Sequence, residues 1–103
     1  MKVTTKQEVV QTLKLNSIQI KSMGVSSIGL FGSFVRNEMN DGSDVDLFVE
    51  FEPGKKSYSN YIKLAYYLED LMGRKTELLT KTGLSKYIGS KILKSIEYVP
   101  LTT

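Results

Sequence analysis

Leu30-Phe31-Gly32-Ser33-Phe34-Val35-Arg36-Asn37-Glu38-Met39-Asn40-Asp41-Gly42-Ser43-Asp44-Val45-Asp46-Leu47-Phe48-Val49-Glu50-Phe51 is the stretch from which the rest of the chain is read. An apolar run, Ile28 to Phe31, stops at Gly32-Ser33, and ten residues later Asp44-Val45-Asp46 opens a second apolar run through Phe51. Alternate residues of a strand share a face. Asp44 and Asp46 are therefore expected to project together, with Val45, Leu47, Val49 and Phe51 on the other side. Paired carboxylates repel unless a cation sits between them, and a hard, oxygen-seeking ion such as Mg2+ suits them. A Gly-Ser turn feeding a short helix brings backbone N–H groups to the same place, where phosphates bind.

Composition narrows the chemistry. The 103 residues give room for one domain with one core, taken here as 1–103. At 41% hydrophobic and 24% charged, the composition is that of an ordinary soluble globular domain. No apolar run approaches the roughly 18 residues of a membrane span. Met1 to Glu8 lacks the apolar centre of a signal peptide, so a cytoplasmic location is the default expectation. Without Cys there is no thiolate nucleophile or disulfide, and without His no imidazole base or ligand. Catalysis would have to rest on carboxylates, hydroxyls, Lys, Arg and metal ions. A net charge of +3 permits contact with phosphates but falls short of a nucleic-acid surface.

Outward from the central stretch, residues 5 to 23 read as helical with a break. Val9, Val10, Leu13, Ile18 and Ile20 take the apolar positions, and Asn16-Ser17 caps a second short helix ending at Gly24. Val25 to Phe31 is the first strand, residues 34 to 38 a short helix, and Asn40 to Ser43 a turn. Asp44 to Phe51 is the second strand, stopped by Pro53-Gly54. Ser57 to Met72 is the clearest helix, with Tyr61, Leu64, Ala65, Leu68 and Leu71 in one stripe and Gly73 as its stop. Its tyrosines, Tyr58, Tyr61, Tyr66 and Tyr67, read as packing groups, with base stacking the alternative. A third strand spans Lys75 to Thr80. A last helix runs from about Ser85 to Ser95, striped by Ile88, Ile92 and Leu93 or Ile96, and Glu97-Tyr98-Val99 is extended. Such an order predicts a small α/β (α+β) domain with helices packed on a mixed sheet of three or four strands.

Gly32-Ser33, ten residues, then Asp44-x-Asp46 resembles the signature of the nucleotidyltransferase superfamily typified by DNA polymerase beta. The longer match, Gly32 to Glu38 followed by Ser43 to Phe51, is similar to one branch, the minimal nucleotidyltransferases often paired with HEPN-domain toxins. The resemblance runs from about Val25 to Val99 and implies the polymerase-beta-type core. It implies Asp44 and Asp46 as metal ligands and Gly32 and Ser33 as nucleotide-binding residues at the β/γ-phosphates. Arg36 joins them at the triphosphate, or else braces Glu38 or an aspartate. The family's third carboxylate, usually Asp, falls at Glu77, which is expected as ligand or base. Val35 and Asn37 stand where relatives more often carry Ala and Gly, and Asn37 could alter the turn. Lys63, Arg74 and Lys75 are further cations, read as solvated faces with phosphate contact as the alternative.

Nucleotidyl transfer needs the triphosphate held, its charge neutralised and an acceptor hydroxyl in line. Two metal ions about 4 Å apart can clamp the attacking and leaving oxygens. The resemblance therefore implies a Mg2+-dependent enzyme, two ions likewise, with ATP as substrate. It would transfer AMP to a tyrosine of a HEPN-type toxin and act as its antitoxin. Two alternatives stand beside this. One is a catalytically weak or inactive fold that neutralises its partner by binding alone, which the Glu77 departure favours. The other is a small-molecule nucleotidyltransferase of the aminoglycoside-modifying kind, although no substrate domain is evident.

Overall fold

The computed structural model describes residues 2–80 and 94–101. Helix α1 spans Lys6–Leu15 and opens with a reciprocal cap: Thr5 accepts from the Glu8 N–H while the Glu8 carboxylate accepts from the Thr5 N–H. Val9 and Leu13 face inward. Helix α2, Ser17–Ser22, restarts the turn in a different phase, burying Ser17 and Ile20. Ile18 is consequently turned out to solvent, 72% exposed, and does not take the core position expected of it. Asn16 does not cap α2 with its side chain. Its amide instead donates to the Thr12 carbonyl, and its oxygen accepts from the Tyr67 hydroxyl.

Strand β1 is Val25–Phe31 and β2 is Val45–Phe51. They pair antiparallel, Phe31 opposite Asp46, with a register shift between Val25 and Ser27. Helix α3, Tyr58–Met72, begins at the Ser57 cap and ends at Gly73, whose φ of 65° is open to glycine without a Cβ penalty. Leu64, Leu68 and Met72 are its buried stripe, with Tyr61, Ala65 and Leu71 packed at its margins. Strand β3, Thr76–Leu79, then runs parallel to β2, Asp46 beside Glu77. Strand β4, Glu97–Val99, joins the far side of β1 and completes the order β3-β2-β1-β4. The expected last helix lies almost wholly outside the described residues.

Alternation on β2 divides the sheet into two faces. Val45, Leu47 and Val49 are wholly buried with Ile28, Leu30 and the helix residues Val9, Leu13, Ile20, Leu64 and Leu68. Burying a side chain of this size contributes about 1.5–3 kcal/mol, so this face fixes the strand register. Asp46 is thereby held on the opposite face. Side chains of α3 also finish the outer edge of β3: Glu69 accepts from the Thr76 N–H, and the Tyr61 hydroxyl donates to the Leu78 carbonyl. Side chains that occupy edge groups in this way make the edge a poorer template for further strand pairing.

Candidate active site

After β1 the chain does not form the short helix expected over 34–38. The N–H groups of Asn37, Arg36 and Glu38 return to the carbonyls of Phe34, Gly32 and Ser33, at spacings of three, four and five residues. Asn37 closes this irregular turn at a φ of 56°. That conformation excludes most side chains but admits Asn, so Asn37 holds a glycine-like geometry here.

Gly32 has the decisive geometry. Its φ is 77°, and a Cβ built on it would lie 2.0 Å from Oδ2 of Asp46. The turn backbone and the β2 carboxylate therefore touch, which only glycine permits. Beside Gly32, the half-buried Ser33 has no side-chain hydrogen bond among the described residues. On the other side, Glu77 of β3 stands beside Asp46 in the parallel register. Burial, then the charge of Glu77, its hydrogen bond and the charge of Asp44 push the Asp46 carboxyl up to about 6 from its ordinary 3.8, against a smaller opposing pull from Arg36. Gly32, Asp44, Asp46, Glu77 and Arg36 thus occupy one end of the sheet.

Arg36 itself is exposed and pairs with Glu38 at 2.5 Å. This is the brace foreseen for it, and it leaves the guanidinium within electrostatic range of Asp46. Lys63 and Lys75 are solvated. Arg74 is not: it is 7% exposed and binds four backbone carbonyls, so neither reading of it from sequence was correct. A cleft of about 710 Å³ between α1 and Asn37, lined by Lys6, Val10 and Lys14, adjoins the turn but does not include the carboxylates.

The acids fit a divalent ion in a particular way. Among the described residues no three carboxylates converge closely enough to enclose an ion by themselves. Yet Asp46 is crowded by two other acids and binds a proton unusually tightly, as expected where positive charge is wanted. Mg2+ commonly takes one or two carboxylates and completes its shell with substrate phosphates and water. An open, partial ligand set beside the Gly-Ser turn matches that habit.

A mixed sheet with an acidic strand packed against a Gly-Ser turn defines a nucleotidyltransferase of the polymerase-beta type. The family described as nucleotidyltransferase domain matches residues 13–99. The chain is 36% identical over 100 residues to the protein adenylyltransferase MntA of Thermococcus cleftensis, covering 96% of this chain and 100% of that one. A solved structure described as a minimal nucleotidyltransferase superposes with a TM-score of 0.68 at 29% identity, over 89% of this chain and 95% of its own. A toxin–antitoxin complex with AMP-PNP shares the fold at TM-score 0.68 and 16% identity, over 97% and 76%. The chain belongs to the nucleotidyltransferase domain family, in its minimal nucleotidyltransferase branch, and is an enzyme of that class.

Proposed function

We propose that this protein transfers AMP from ATP, with Mg2+, to a hydroxyl of a partner protein and thereby silences it as an antitoxin. A tyrosine of a HEPN-type toxin is the acceptor that the reading favours. The observation that carries it is the contact of Gly32 with Asp46, which sets the Gly-Ser turn against the acidic strand. The relative matched along its whole length, a protein adenylyltransferase, supports protein as the acceptor class.

In this reading Gly32 lets the triphosphate approach the backbone, and the Ser33 hydroxyl donates to a β- or γ-phosphate oxygen. Asp44 and Asp46 hold the metal, which when bound neutralises the triphosphate and polarises the α-phosphorus. Glu77, exposed at the end of the sheet, aids metal binding or accepts the acceptor's proton. Arg36 swings from Glu38 toward the phosphates. Orientation and charge stabilisation supply most of the rate, as in phosphoryl transfer generally.

Incubating the protein with a candidate toxin, ATP and Mg2+, then weighing the intact toxin, tests this. Gain of one AMP mass on the toxin, lost with Asp44→Asn, is expected. The open arrangement of the three acids favours one second reading, a weak or inactive enzyme that inhibits by binding alone. Inhibition without a mass change would support it instead.

A further inference from the structure

Arg74 sits between the end of α3 and the start of β3. Its Nε donates to the Val3 carbonyl at 2.6 Å. Its Nη1 donates to the carbonyls of Asn40, Asp41 and Ser43 at 3.0, 3.2 and 2.9 Å. The guanidinium carbon also stands 5.3 Å from the centre of the Phe34 ring. A buried cation is costly unless its donors are satisfied. Here the backbone oxygens of Val3 and of the 40–43 loop do this, with the Phe34 ring alongside, and the loop and Phe34 belong to the two segments that border the site. Ser43 directly precedes Asp44, and Phe34 directly follows Ser33.

The 40–43 loop gets its shape locally. Ser43 N–H donates to the Asn40 carbonyl, and the Asn40 and Gly42 N–H groups donate to the side chains of Ser43 and Asn40. Those bonds do not fix where the loop lies. Among the described residues, its hydrogen bonds to the rest of the domain come from Arg74 and from Lys2, the latter an exposed bond to the Asp41 carbonyl.

We propose that Arg74 is a positioning residue for nucleotidyl transfer: it sets the separation between the Ser33 turn and Asp44 by gripping both segments with one planar group. The inference rests on the reading of Ser33 and Asp44 given under Proposed function. Lysine cannot replace it, because a point charge cannot reach Val3 and the loop together or lie flat on the ring.

The test compares wild type with Arg74→Lys and Phe34→Leu, at a temperature where circular dichroism shows each fully folded. The probe is a non-hydrolysable ATP analogue with Mn2+, titrated calorimetrically. Removing support behind a metal site weakens affinity by about 10–100-fold, so Arg74→Lys should bind at least about tenfold more weakly. Phe34→Leu keeps the carbonyl bonds but loses the ring, and should weaken binding by a smaller factor in the same direction. With ATP as substrate, KM should rise more than kcat falls. A lowered melting temperature with unchanged affinity and KM would make Arg74 merely structural and overturn the inference. Should Arg74→Lys not fold, Phe34→Leu decides by the same criterion. Wild type that fails to bind the analogue would overturn the underlying nucleotide site as well, a result distinct from equal binding by wild type and variants.

Discussion

Replacing Asp46 by Asn should make the metal-free protein more stable while removing its response to Mg2+. Asp46 binds its proton up to about pH 6 in the folded protein and up to 3.8 ordinarily. The folded state therefore holds a proton that the unfolded state has released in this interval. Its stabilising effect is complete below about pH 3.8 and is lost as pH rises through about 6. The full difference would be about 3 kcal/mol at 1.36 kcal/mol per pH unit. The carboxylate is partly open to solvent, and screening reduces this to about 1 kcal/mol. Asp46→Asn, which cannot ionise, should recover that amount at pH 8, raising the melting temperature by roughly 4–8 °C for a domain of this size. At pH 4 the gain should nearly vanish. Mg2+ at about ten times its dissociation constant should stabilise wild type by about 1.4 kcal/mol, and the variant by little. Thermal melts at pH 4 to 8, with and without Mg2+, read all of this. An Asn variant less stable than wild type at pH 8 without metal, or equally stabilised by Mg2+, would refute the reasoning.

Other substitutions probe separate parts of the account. Gly32→Ala places a methyl against Asp46 at an unfavourable φ. It should cost more than about 1 kcal/mol in urea unfolding and abolish nucleotide binding in the same preparation. Glu77→Gln should slow transfer by about 10²–10⁴-fold if Glu77 is the base, and an unchanged rate would remove it from the site. Thr5→Ala breaks the α1 cap and should destabilise by about 0.5–2 kcal/mol in the same melts, with turnover unchanged.

Much of this architecture was legible from side-chain pattern alone. The β1 limits followed from its run of β-branched and apolar residues, and the α3 limits from Gly73 as its stop and from Ser57, one of two serines that could have started it. The Asp46 face followed from period-two alternation against a buried Val45-Leu47-Val49 stripe. Where pattern failed, the deciding interaction was nonlocal or conformational. Ile18 looks like a core residue, but the break at Asn16 rotates α2 so that Ser17 and Ile20 take its place. The turn after Ser33 is too short and too distorted at Asn37 to sustain a helix. Arg74 gave no sign in the sequence, because its partners are main-chain carbonyls that every residue carries. At the site, Gly32 and Glu77 both lie against Asp46, a neighbourhood that only the family resemblance had implied for Glu77, whereas the pairing of Arg36 with Glu38 was one of two open possibilities.

Co-crystallising the protein with Mn2+ and a non-hydrolysable ATP analogue, and locating the metal by its anomalous signal, bears most directly on the account. Manganese bound by Asp44 and Asp46, with the triphosphate lying over Gly32 and Ser33, is the expected result. Nucleotide ordered elsewhere on the molecule, with no metal at these two aspartates, would contradict it.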